Sequence, residues 1–88
     1  MDQREPNLVY SSLSRTVTKD GAAVEDSIVR LENETRWSLE VVNTSGGSTV
    51  WDDLFSSDEE AYSEFQRTVA KEGIRTFLDG GKVIPFKR

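Results

Sequence analysis

The chain has 88 residues, no cysteine, no histidine and a formal charge of −5. That size allows one domain, and the missing residue types exclude disulfide scaffolds, thiolate metal centres and any catalytic arrangement built on an imidazole. A chain this short buries roughly 60–65% of the surface its unfolded form exposes, so modest stability is expected.

No apolar run reaches the ~18 residues of a membrane span, and the opening MDQREPNLVY is too polar for a signal peptide. A cytoplasmic protein with no membrane partner is the expectation, and the absence of cysteine suits a reducing compartment. Asn33-Glu34-Thr35 and Asn43-Thr44-Ser45 match the glycosylation sequon, but without a secretion signal they read as chance.

In chain order, residues 1–11 lack periodicity and contain Pro6, which predicts a flexible arm ahead of a single α+β domain over 12–88. A first strand is expected over 12–19. Asp20-Gly21 follows, a hairpin signal because both central turn positions need positive φ. A second strand over 22–32, a turn at Asn33-Glu34 and a third strand over 35–43 come next. Gly46-Gly47 then closes a hairpin into 48–52.

Two-residue loops at 20–21 and 33–34 dictate a register. They set Val17 against Val24, Arg15 against Asp26 and Leu13 against Ile28, then Ile28 against Leu39, Asp26 against Val41 and Arg30 against Trp37. Opposed residues share a face of the sheet. Leu13, Val17, Val24, Ile28, Trp37, Leu39 and Val41 therefore form one apolar face, the expected core. An ion pair of Arg15 with Asp26 is expected at its margin, and Arg30 is placed over the Trp37 ring.

The helix start is marked twice. Ser56 with Glu59, and Ser57 with Glu60, both have capping-box spacing. Tyr62, Phe65 and Val69 recur at helical spacing, so one long C-terminal helix should cover the apolar face. Two endings fit: a left-handed Gly73 with Ile74 touching Val69, or continuation through Ile74, Phe77 and Leu78 to Gly80-Gly81. A short edge strand over 82–86 completes the reading, since Pro85 excludes a central position. The expected fold is α+β: an antiparallel meander of three or four strands with a helix on one face.

No comparable run announces chemistry. Asp52 and Asp53 just before the helix, with Asp58, Glu59 and Glu60 just after, form the one dense acidic cluster, and such oxygens are the ligand type a hard cation favours. Acids at a helix start need no metal, however, because they complement the macrodipole. The Thr44–Thr49 segment has the glycines of a phosphate loop, but a strand follows it instead of a helix, and no lysine is near. No enzyme, no cofactor and no metal are expected.

The topology resembles that of sheet-reading DNA domains of plant factors and some integrase arms, which present a basic uncovered face to the groove. Here that face carries Arg36 against Glu25 and Glu40, so nucleic acid is an unfavoured partner. The same face holds Val29, Leu31 and Val42. Trp51 joins it if the third hairpin loop has two or four residues, and joins the core if the loop has three. These four residues, with Ile74, Phe77 and Leu78 at the helix end, are the candidate interface, unless the arm or the tail strand folds over the face.

The pattern Trp37-x-Leu39-Glu40-Val41-Val42, then Thr49-Val50-Trp51-Asp52-Asp53-x-Phe55, then Asp58 and Glu72-Gly73-Ile74, resembles short uncharacterised bacterial proteins with no named family. It covers about half the chain. The resemblance implies a compact meander-plus-helix protein and says nothing about catalysis. The expected function is a small non-enzymatic protein-interaction or regulatory module, working as a homodimer or beside a larger partner. A sheet-based nucleic-acid-binding domain and a carboxylate metal or enzymatic site are the alternatives.

Overall fold

Strand β3 (Ala22–Leu31) is flanked on both sides, and the rest of the sheet is assembled around it. The computed structural model describes residues 7–79 and 82–84. Its elements in order are β1 (Leu8–Tyr10), β2 (Arg15–Lys19), β3, β4 (Ser38–Asn43), β5 (Ser48–Trp51), α1 (Asp58–Glu72), a 3-10 helix (Ile74–Leu78) and β6 (Lys82–Ile84). The strands form one mixed sheet in the order β1-β3-β4-β5-β6, with β2 also paired to β3. The fold is α+β, as the sequence predicts, with six strands where a meander of three or four and a tail strand are expected.

The predicted registers hold where the strands pair, but β3 and β4 part beyond Val29–Ser38: β4 starts at Ser38 and not at 35, Trp37 bridges Phe55, and the two-residue loop at 33–34 is not formed. Val17 faces Val24 and Arg15 faces Asp26 across β2–β3, while Ile28 faces Leu39 and Asp26 faces Val41 across β3–β4. Asp20 (φ 54°) and Gly21 (φ 76°) both occupy the left-handed region that the tight hairpin demands. Alternation then places Val24, Ile28, Leu39 and Val41 on one buried face, beneath Ala61 and Phe65 of α1. Arg30 sits 5.2 Å over the Trp37 ring, as expected.

The first strand departs from expectation. β2 starts at Arg15, and Leu8–Tyr10, within the expected arm, already pairs with Leu31–Val29. β1 and β2 thus form one edge of β3, interrupted by a bulge at Ser11–Ser14. From Ser11 to Arg15 the edge takes four steps while β3 takes two, from Ile28 to Asp26. Serine hydroxyls repair the ladder there: Ser14 Oγ accepts from the Ile28 amide (3.0 Å) and donates to its carbonyl (3.2 Å). The expected backbone pairing of Leu13 with Ile28 is replaced by this contact, although Leu13 still packs, partly buried, against the core. Residues 1–6 of the expected arm lie outside the described residues.

The expected Arg15–Asp26 ion pair also takes another form. The Arg15 amide donates to Asp26 Oδ1 (2.7 Å), while the guanidinium lies 5.1 Å over the Tyr62 ring and donates to the Leu13 carbonyl. A cation on an aromatic face keeps its solvent exposure, which a buried ion pair would remove.

Helix α1 begins at Ser57, whose Oγ accepts from the Glu60 amide (3.0 Å). Glu60 reaches back one residue further than in a standard capping box, to the Ser56 amide and hydroxyl (2.9 Å each). The end comes at Gly73 (φ 88°), whose amide bonds the Val69 carbonyl. That conformation suits glycine, so the chain turns there and continues as the 3-10 helix.

This break decides the fate of the residues after it. Ile74 and Phe77, predicted as interface, instead close the core and are 1% and 0% exposed. Phe77 packs on Phe65 (ring centroids 5.8 Å apart) and on Trp51 (6.2 Å). A continuous helix would have pointed Ile74 away from the stripe; the turn at Gly73 brings it back under it. The crossover through α1 returns the chain as β6, parallel to β5, with Val50 opposite Val83. Pro85 and Phe86 of the predicted edge strand lie outside the described residues.

Asn43 ties these parts together. Its Nδ2 donates to the Phe77 and Leu78 carbonyls (3.0 and 3.1 Å), and its Oδ1 accepts from the Ser45 and Gly47 amides (2.9 and 3.0 Å). Both donors and both acceptor sites of a buried amide are thereby used. Asn43→Ala should lower stability by about 2–4 kcal/mol in urea denaturation, because partners are left unbonded in a water-poor site. Phe77→Ala should cost about 3–5 kcal/mol in the same assay if Phe77 is core, and almost nothing if it were a surface contact.

Candidate interaction surface

The strand alternation that fills the core aims the remaining side chains at the opposite face of the sheet. Leu8, Tyr10, Val29, Leu31, Val42, Val50 and Val83 share this face with Thr16, Glu25, Ser27, Ser38, Glu40 and Ser48, by the observed registers. The core cluster takes α1 and the 3-10 helix on the other side, so among the described residues no helix lies over the apolar members of the outer face. Tyr10 is 64% exposed, Val83 63% and Leu8 52%.

One end of the face is concave. Leu8, Val29, Leu31 and Leu54 wall an open groove of about 440 Å³, which Arg36 and Ser38 also line. Leu54 arrives from the β5–α1 connection, held where Trp37 and Phe55 exchange backbone hydrogen bonds (2.8 Å each). Arg36 reaches Asp53 (3.5 Å) and the Leu54 carbonyl (3.4 Å), which fixes that connection against the start of β4. Exposed pairs of this kind add little stability and serve mainly to position.

The predicted site residues divide. Val29 and Val42 lie half-buried on the outer face, with Leu31 exposed beside them. Leu78 is exposed but belongs to the 3-10 helix and not to the face. Trp51 does not belong to it either. The Asn43 amide bonds the Gly47 carbonyl, leaving a three-residue loop of Thr44, Ser45 and Gly46, and that parity turns Trp51 into the core. With Ile74 and Phe77 also buried, three of the seven proposed contacts are structural.

Trp51 has a buried polar partner. Its Nε1 donates to Glu64 Oε2 (3.1 Å), and Arg67 clamps both oxygens of that carboxylate (3.0 and 2.8 Å). Three acids of the cluster around the helix start also have structural tasks. Asp58 accepts from the Ser11 hydroxyl (2.7 Å), Asp53 meets Arg36, and Glu60 caps the helix. Among the described residues no three acids converge on a point where a metal ion would sit. Nor is any described helix long and apolar enough to cross a membrane.

Leu8, Tyr10, Leu54 and Val83 were missed by sequence reasoning. Leu8 and Tyr10 do stand at strand spacing, but three residues give too short a run to distinguish from a loop. Leu54 sits in no periodic segment at all. Comparison with known proteins finds no family model, no curated protein and no solved structure that matches this chain.

The outer face is separate from the core in this arrangement. Leu31→Asp together with Val42→Asp should shift the thermal unfolding midpoint by only a few degrees, as substitutions away from buried features usually do.

Proposed function

We propose that this domain is a small non-enzymatic protein-interaction module of the cytoplasm, binding through the outer face of its sheet. The observation that carries the reading is the apolar set Leu8, Tyr10 and Leu31, exposed side by side on β1 and β3 on the face opposite α1. Burying such side chains contributes roughly 25 cal/mol per Å² before the costs of association, so a contiguous set favours a protein partner over water. The occupant is a second copy of this chain or a larger protein. Solution mass separates the two, since a dimer weighs twice 9.9 kDa.

In light scattering or sedimentation, a self-associating chain should return to the monomer mass when Leu31 and Val42 are both changed to Asp. A double variant that loses its fold would instead place these side chains in the core and end the reading.

A nucleic-acid binder is disfavoured by charge. Among the described residues the outer face and its groove set Arg30 and Arg36 against Glu25, Glu34 and Glu40, and phosphate binding needs the opposite balance. Electrophoretic shift at low salt, with duplex DNA and with single-stranded RNA, should show no complex. A salt-sensitive complex would overturn the protein-binding assignment.

A further inference from the structure

Among the described residues, Asp26 is the one buried acid with a carboxyl oxygen that no hydrogen bond reaches. Asp26 is 0% exposed, in mid-strand between Val24 and Ile28. Oδ1 accepts from the Arg15 amide (2.7 Å), and Oδ2 has no hydrogen-bond partner among the described residues. An ionised carboxylate in that position keeps only backbone amides in exchange for its hydration, which is unfavourable. A neutral carboxyl retains the Arg15 bond and carries its proton on the otherwise idle Oδ2. Burial accordingly pushes the Asp26 pKa above its ordinary value of 3.8, against the smaller downward pull of the backbone hydrogen bonds and of the Arg15 charge.

The strand that supplies the Arg15 donor is itself largely exposed. β2 is an edge strand of five residues with only Val17 partly buried, and it is separated from β1 by the serine bulge. We propose that β2 is a proton-gated edge strand, closed on β3 while the Asp26 carboxyl is neutral and loosened when it is ionised. Peeling β2 away gives the carboxylate access to water and bares the β3 edge, a row of backbone groups suited to an incoming strand.

The surrounding charges do not replace water for this carboxylate. On β2, the Arg15 guanidinium is held over Tyr62 of α1, and on β3 the neighbouring Glu25 adds repulsion. From α1, Asp58 is bonded to Ser11, and both oxygens of Glu64 are engaged by Arg67, one of them also by Trp51. Arg75 of the 3-10 helix is bonded to the Asp20 carbonyl at the β2–β3 turn, and β4 presents Val41.

The sign follows from the raised folded-state value. Closed β2 binds the proton more tightly than open β2, so closure is most favoured below the ordinary 3.8. It weakens as pH rises towards the folded value, then levels off.

Amide hydrogen exchange by NMR on the full chain, corrected for intrinsic rates, tests this. Protection of the β2 amides that point at β3 should fall by at most about tenfold per pH unit, the limit for one proton, and then reach a plateau. Amides between β4 and β5 should hold constant. In Asp26→Asn the β2 protection should no longer follow pH. The proposal is overturned if β2 protection is flat in the unmodified chain, if the β4–β5 amides fall in step, or if the Asn variant keeps the slope. Should that variant not fold, the carbon-13 titration of Asp26 in the unmodified chain decides. A midpoint above 3.8, shared with the β2 amide shifts, supports the gate, and a midpoint at 3.8 removes it.

Discussion

The side-chain alternation of β3 is the constraint on which the molecule depends. Val24 and Ile28 must lie under α1, and because β3 is flanked by β2 and β1 on one edge and β4 on the other, its parity is imposed on both sides. A slip of one residue would bury Glu25 and Ser27 and expose Ile28. The apolar contacts under α1 would be lost at the same moment, so the register is held by the core and not by the turns alone.

Polar groups finish what the apolar pattern begins. Asn43 joins the β4–β5 loop to the 3-10 helix through four hydrogen bonds, while Ser14 substitutes for a missing ladder residue opposite Ile28. Glu64 anchors the Trp51 indole from the helix, with Arg67 offsetting its desolvation. Each of these side chains meets backbone or partner groups that would otherwise be unbonded away from water, which is why so few residues have so large an influence. Asp26 is the exception, its Oδ2 buried and unbonded. Thr49 Oγ1 is also unbonded, but it does not titrate.

Function, in the proposed reading, follows from geometry more than from any single reactive group. One fifteen-residue helix covers one face of a six-stranded sheet, and the second face retains the apolar half of its alternation at Val29, Leu31 and Val50. The proposed binding surface and the proposed gate at β2 involve different residues. The first concerns the outer face, and the second concerns a core-facing acid and the strand that covers it.

The sequence by itself determined the α+β class, the Asp20-Gly21 hairpin, both registers around β3 and the start of α1 at Ser57, because turn chemistry, two-residue alternation and helix capping are local properties of the chain. Tertiary structure decided where Trp51, Ile74 and Phe77 went. A three-residue loop in place of a two-residue one reverses the side of Trp51, and the glycine turn at position 73 redirects everything after it. Neither choice is local. Each is settled by whether large aromatic side chains find space beneath α1, and only the assembled core can supply that space.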